Sequence, residues 1–426
     1  MSFTPKHLSK TGEKAIVELK GQVSMLTRKD IPVMEGPKTM NLRIGDSILV
    51  LTDQGVHYSF DMKNGDLSRI NETAAHVLEM ADGTHSAKVI SDNLAERLGR
   101  DKAEKCRKWI EKAVEAGIII AQSNSEPAVK HKAHELHVIA SCLYANSETR
   151  KAYLVQKRAI QIEPVDPMNW HQMGELAHAM GYLEEARVAY EHYFTHFPSD
   201  PGVAHILCAL RNEPPPSRAP DAFVKNLYQN FSVFYEENMC GELQYAAPDR
   251  LFSAIKKCNS ANTNLIAADL GCGTGLFGIR LRQICTRLIG VDLSPEMLAK
   301  AKLRYVYDML ECAEITNWLN CDPQEQFDLI TFCDTLIYFG DLQQVVSSCI
   351  HHLKPAGFIA FTLEKGEVFP FKLSDSGRFQ HHKNHIRDLA HNANVKIVHR
   401  SEEVLRLEYG KPVIGLVTVL QKKNGK

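Results

Sequence analysis

From residue 265 onward, short unbroken apolar runs alternate with stretches in which apolar residues recur three and four apart. LIAADL (265–270), LIGVDL (288–293), FDLITFC (327–333) and FIAFTLE (358–364) read as strands. Between them, 275–285, 294–303 and a segment ending near Leu353 read as helices, and two further β-like runs follow near Val395 and Val413. Strands that are apolar on both faces and separated by helices predict a parallel sheet covered on both sides, a doubly wound α/β fold. The front of the chain has another rhythm. NLRIGDSILVLTDQGVHY (41–58) predicts a hairpin about its DQG turn. Residues 71–80, 86–98 and 101–116 predict three short helices, with Gly83, Gly99 and Gly117 as stops. Residues 1–40 carry few large apolar side chains and read as an extension.

Between these regions, Trp170, Met173, Gly174, Gly181, Ala186, Tyr190 and Pro198 stand at the offsets of a tetratricopeptide repeat, which the segment resembles. Ala152, Ala159 and Pro164 suggest a weaker copy about 34 residues upstream, and Pro201–Arg211 a capping helix. The run EPPPSRAP (213–220) cannot sustain a helix and reads as a linker. The expected division is therefore an extension (1–40), a small α+β, winged-helix-like domain (41–125), a helical repeat region (133–213), a linker (214–220) and a Rossmann-like α/β domain (221–426). The length of 426 residues fits this, at roughly 150 per domain.

Composition narrows the function classes. Fifty Lys and Arg against 51 Asp and Glu give a net charge of −1, which disfavours binding to nucleic acid or a membrane surface through bulk charge. Eleven cysteines form no C-x-x-C pair, and the polar start lacks a secretory apolar run, so reduced thiols in a cytoplasm are expected. No apolar run approaches the roughly 20 residues of a membrane span.

The chemistry concentrates at Asp269-Leu-Gly271-Cys272-Gly273-Thr274-Gly275, after the first strand and before a predicted helix. Three glycines at spacing two allow a tight turn and let a ligand approach the backbone N–H groups. Asp292, 17 residues past Gly275, ends the second strand, where a carboxylate can accept both hydroxyls of a ribose. A diphosphate would be repelled by Asp269, whereas a cationic, amino-bearing nucleoside would be attracted.

At these residues the chain resembles class I S-adenosylmethionine-dependent methyltransferases, and Asp292-Leu-Ser-Pro-Glu-Met-Leu-Ala-Lys-Ala is similar to their second-strand motif. The resemblance covers about 200 residues and implies S-adenosyl-L-methionine as cofactor. It assigns Gly271, Gly273 and Gly275 to the loop under the cofactor, Asp269 to the methionine amino group, and Asp292 to the ribose. Leu293 and Met297 would pack on the adenine, and Glu314, where the family more often has Asp, would face its amino group. Cys333 and Asp334 would face the methionine end and the substrate, with Phe231 and Tyr235 as aromatic covers. Tyr245-Ala-Ala-Pro248, IYFGDL (337–342) and Ser376-Gly-Arg-Phe379 resemble the repeat-containing subgroup of these proteins.

Methyl transfer is an in-line displacement, so alignment and exclusion of water matter most, and a dedicated base is optional. Asp334, Glu364 and His381 are the candidates for orienting the acceptor or removing its proton, since they follow strand ends facing the crevice. His381, His382 and His385 read as polar lining, and no metal is expected. The front domain resembles the PqqD-like family of peptide-recognition domains, which implies a leader-type peptide adding a strand between Val56–Phe60 and the helix 101–116. Three readings follow: a methyltransferase acting on a captured peptide or protein, a small-molecule methyltransferase resembling quinone- or biotin-pathway enzymes, and a non-catalytic cofactor-binding assembly factor.

Overall fold

A computed structural model describes residues 40–123, 127–128, 130–231, 244–259, 263–321, 326–408 and 411–423. The chain divides into two compact units, one ending at Tyr193 and the other beginning at Phe194.

In the first unit, β1 (Asn41–Ile44) lies between β5 (Asp82–Ser86) and β6 (Ile119–Gln122) in an antiparallel sheet. A second antiparallel sheet has the order β2 (Ile48–Asp53), β3 (Val56–Asp61), β4 (Asp66–Ile70). The hairpin therefore runs from 48 to 61, and β1 belongs to the other sheet; Gln54 and Gly55, both at positive φ, make its turn. β3 is paired on both sides, so the strand expected to receive a peptide is central rather than an edge. The three helices form at Glu72–Met80, Ala87–Leu98 and Arg100–Glu115, the first two capped by Asn71 and Ser86. Leu42, Val77, Leu78, Ile90, Leu94, Ile110 and Ile119 close their core.

The helices Ala133–Ala145, Thr149–Ile162, Pro167–Ala179 and Leu183–His196 complete this unit as antiparallel neighbours. A Cβ on Gly174 would lie 2.7 Å from the Tyr190 ring, so a glycine there lets the last two helices touch. Buried Asp53, at the end of β2, accepts from Arg150 Nη2 and Lys157 Nζ, each at 2.9 Å. The expected boundary near residue 130 is thus bridged by ion pairs, and the division falls inside the helix Leu183–His196 instead.

The second unit is built on a nine-stranded mixed sheet. Its main path is β12 (Phe371–Leu373), β13 (Phe379–His381), β11 (Leu353–Lys365), β10 (Phe327–Phe332), β7 (Leu265–Leu270), β8 (Cys285–Asp292), β9 (Met309–Cys312). β15 (Lys411–Lys422) pairs antiparallel with β11 and with β14 (Val395–Glu408). From β7 the chain moves outward through β8 and β9 and returns to β10 on the other side of β7, which opens a crevice beyond the carboxyl ends of β7 and β10. Ala268, Leu270, Ile330 and Phe332 face one core, shared with the helices Ile315–Asn320, Gln343–His352 and Lys383–Asn392. Ala267, Leu329 and Ala360 face the other, shared with Ala247–Cys258.

Three expectations change here. The capping helix, Pro201–Leu210, belongs to this unit: it packs on Asp221–Phe231, and His205 Nε2 lies 2.9 Å from the Gly377 carbonyl. The proline-rich run is no free linker, because Ser217 O accepts from the N–H groups of Gly340 and Asp341 while Ala219 N–H donates to Tyr338 O. Finally, the helix expected over 275–285 is a turn followed by only Gly278–Leu281, so no long helix dipole points at the glycine turn.

Candidate functional site

The crevice at the end of β7 is shaped by backbone. Gly271, Gly273 and Gly275 all have positive φ, at 74°, 54° and 83°. Gly271 is required twice over, because a Cβ there would lie 2.8 Å from Thr335 Cβ as well as in a left-handed conformation. The N–H groups of Gly271 and Cys272 donate to Val291 O at 2.8 and 3.0 Å, which pins the turn against the end of β8.

Two carboxylates border this turn. Asp269 is 1% exposed, with Oδ2 accepting from the Tyr307 hydroxyl at 2.7 Å and Oδ1 from Thr331 Oγ1 at 3.0 Å. Burial pushes its pKa up to about 6; the two hydroxyls oppose that rise and the charge of Asp292 adds to it. Asp292 accepts from Gly273 N–H at 2.8 Å and Ser294 N–H at 2.9 Å, and burial raises its pKa despite these donors. An open pocket lies over the turn on the Asp269 side, bordered by Tyr245, Asp269, Gly273, Thr274, Phe277 and Cys333. The Thr274 hydroxyl is buried without a hydrogen-bond partner among the described residues. Two acids at the ends of adjacent strands, a turn without side chains and an orphaned hydroxyl fit a cationic nucleoside with polar edges.

The other expected residues divide. Cys333 borders the pocket, with Tyr245 Oη 3.7 Å from its sulfur. Met297 is buried in the helix Pro295–Lys302 and Leu293 is half-buried before it. Glu314 caps the helix Ile315–Asn320 by accepting from Asn317 N–H at 2.8 Å, and its other oxygen is 3.4 Å from Arg218 Nη1. Its carboxylate is thus already engaged at both oxygens. Phe231 ends the helix Asp221–Phe231, but its side chain and all of Tyr235 lie outside the described residues.

Asp334 follows Cys333 at a left-handed φ of 59°, its N–H held by Thr362 Oγ1 at 2.8 Å. Both of its oxygens accept from Arg406 Nη1, at 3.0 and 2.9 Å. Glu364 sits deeper, sharing one oxygen between Arg406 Nη2 and Arg378 Nε, and Glu408 receives Arg406 Nε at 3.1 Å and Arg378 Nη2 at 2.6 Å. Three carboxylates and two guanidiniums thus form one network. Burial raises Asp334, with Arg406 opposing; in Glu364 the two arginines outweigh burial and hold the acid below its ordinary value. His381 does not join them. It is fully buried, its Nε2 is 2.9 Å from Phe339 O and its Nδ1 is 3.1 Å from His385 Nδ1. Burial, with His385 adding, takes its pKa down to about 3, so the ring is neutral and engaged at both nitrogens, which corrects its expected role as a base.

Sequence reasoning missed Arg378, Arg406, Glu408 and Tyr307. Arg378 stood in a quoted motif, but nothing in a linear pattern pairs it with residue 408. Tyr307 left a fainter sign in Gly278 and Gly290, two glycines that no turn requires.

Residues 268–359 match the profile of a family described as "Methyltransferase domain". The chain contains a methyltransferase domain. Over 138 residues it is 28% identical to malonyl-[acyl-carrier protein] O-methyltransferase of Bacillus anthracis, covering 32% of this chain and 50% of that protein. Over 158 residues it is 30% identical to the putative methyltransferase YqeM of Bacillus subtilis (strain 168), covering 34% of this chain and 60% of that protein. The chain therefore spans about half the length of the curated relatives it matches. A solved magnesium protoporphyrin IX methyltransferase from Synechocystis PCC 6803, with bound S-adenosylmethionine, is 13% identical at a TM-score of 0.38, over 48% of this chain and 97% of that one. The matched stretch lies within the α/β unit and includes the acids at 269 and 292. No helix among the described residues is long and apolar enough to cross a membrane.

Proposed function

We propose that the α/β unit binds S-adenosylmethionine and transfers its methyl group to a small-molecule acceptor. The observation that carries this reading is the pair of carboxylates, buried Asp269 and half-buried Asp292, on either side of a left-handed glycine turn. A cationic ligand relieves their mutual repulsion, and a diphosphate would add to it. The sulfonium of the cofactor supplies an electrophilic methyl group. Asp269 holds the methionine ammonium, Asp292 exchanges its backbone donors for ribose hydroxyls, and Tyr245 and Cys333 border the methionine end. Asp334, fixed by Arg406 beside Cys333, orients the acceptor. Glu364, enclosed by arginines, and His381 support that wall from behind. The match to a carrier-protein-linked malonyl methyltransferase, and another at 34% identity over 105 residues to trans-aconitate 2-methyltransferase of Escherichia coli O1:K1 / APEC, support a small acceptor.

A peptide or protein acceptor captured by the first unit is the second reading. One observation favours it: among the described residues β4 pairs only with β3, and its other edge could receive an extended chain. Calorimetry with S-adenosylmethionine and S-adenosylhomocysteine tests the cofactor. Labelled-methyl incorporation, offered small carboxylic acids, phenols and amines beside peptides, tests the acceptor. A chain that ignores both sulfur nucleosides yet retains a nicotinamide dinucleotide overturns the reading.

A further inference from the structure

Behind the pocket, the segment 304–308 leaves the helix Pro295–Lys302 and enters β9. Tyr305 takes a left-handed φ of 55°, turning the chain so that its neighbours face the glycine turn. Arg304 Nε donates to Thr274 O at 2.6 Å, and Tyr307 Oη donates to Asp269 Oδ2 at 2.7 Å. The Tyr307 ring lies where side chains would otherwise stand. A Cβ on Gly275 would meet it at 3.0 Å, one on Gly290 at 2.9 Å, and one on Gly278 would overlap its hydroxyl end. Neither Gly278 nor Gly290 has a positive φ, so their lack of side chains is explained by room for this ring.

Asp269 has two hydroxyl donors, and they differ. Thr331 Oγ1 lies within reach of both Asp269 Oδ1 at 3.0 Å and Ala268 O at 3.3 Å, so its single proton is shared. The phenol donates to Asp269 Oδ2 at the shorter 2.7 Å, with the Cys272 thiol as its neighbour on the other side. We infer that Tyr307 is a positioning residue for cofactor capture, whose hydroxyl, wedged in place by three glycines, fixes the Asp269 carboxylate to receive the cofactor's ammonium group. The inference rests on the cofactor reading above and adds a residue to it.

The groups facing Asp269 are Tyr307 from the segment before β9, Thr331 on β10, Asp292 on β8, and the thiols of Cys272, Cys285 and Cys333. Burial pushes Cys285 up to about 12 and the other two thiols well above their usual range, so all three stay neutral between pH 5 and pH 9. Tyr307 bonds Asp269 and not Asp292, whose donors are the N–H groups of Gly273 and Ser294, so a difference between wild type and variant originates at Asp269.

The test compares the full-length chain with Tyr307→Phe, which keeps the ring, by calorimetry with S-adenosylhomocysteine and with adenosine from pH 5.5 to pH 9. Losing a hydrogen bond to a charged group raises the acid midpoint of S-adenosylhomocysteine affinity by about one to two pH units. At pH 6.5 binding weakens roughly fivefold to tenfold, and at pH 9 it matches wild type within about twofold. Adenosine, which lacks the amino-acid end, binds equally to both chains. Thr331→Val, which removes the shared donor, moves the midpoint the same way by less. Equal weakening of both ligands at every pH, or no change in either, overturns the inference. A wild-type chain that binds no S-adenosylhomocysteine sinks the parent reading and this one together; wild-type binding with an indistinguishable Tyr307→Phe sinks this one alone.

Discussion

Replacing Asp269 with Asn should make the ligand-free α/β unit more stable while removing cofactor binding. The carboxylate is fully enclosed, and burial moves its pKa from 3.8 to about 6. A folded-state value above the unfolded one means that the native chain holds this proton more tightly, so the cost of the charge is absent below about pH 4. It grows as pH rises through the interval and is complete above about pH 6. At 1.36 kcal/mol per pH unit, the gap corresponds to about 3 kcal/mol at pH 7. Asn does not titrate, but its amide can satisfy only one of the two hydroxyl donors as before, and the mismatch costs about 1 kcal/mol. The net expectation is about 2 kcal/mol of added stability at pH 7, or roughly 4–8 °C in Tm for a unit of this size. Urea denaturation of ligand-free wild type and Asp269→Asn at pH 4, 5, 6, 7 and 8 reads it directly. The advantage must open between pH 4 and pH 6 and then level off. An advantage that does not change with pH, or a variant less stable at pH 8, would refute the reasoning.

Two further substitutions probe the walls of the site. Gly271→Ala combines a left-handed φ with a Cβ driven onto Thr335, so it should cost about 1–3 kcal/mol in a thermal melt and weaken S-adenosylhomocysteine binding more than tenfold in calorimetry; Thr335→Ala in the same chain should restore part of both. Arg406→Leu leaves buried Glu364 and half-buried Asp334 and Glu408 facing one guanidinium, and chemical denaturation at pH 7 should show a loss of about 3–5 kcal/mol. That loss should shrink as pH falls toward 5, because the stranded acids then take up protons instead of remaining charged.

Much of the fold could be read along the chain because its signals are local. Asn71 and Ser86 cap the helices that their periodicity announced, and the strands ending at Leu270, Asp292 and Phe332 are short apolar runs bounded by turns. The hairpin was misplaced because β1 carries the same alternation as β2 and β3, and only pairing with β5 and β6 assigns it to another sheet. The proline-rich run 213–220 reads as a linker because proline forbids a helix; it does not forbid the backbone bonds that Ser217 and Ala219 make with residues 338–341.

The site shows the same division. Glycines at 271, 273 and 275 and acids at 269 and 292 announce themselves because tight turns and ribose recognition demand particular residues at fixed spacing on adjacent elements. Whether a carboxylate is free to act depends on what stands opposite it, and its partner may come from any distance along the chain: Arg406 is 72 residues from Asp334, and Tyr307 is 38 from Asp269. Burial is likewise a property of the packed sheet. The protonation of Asp269, the neutrality of His381 and the engagement of Glu364 therefore arise only when strands remote in sequence come together and exclude water.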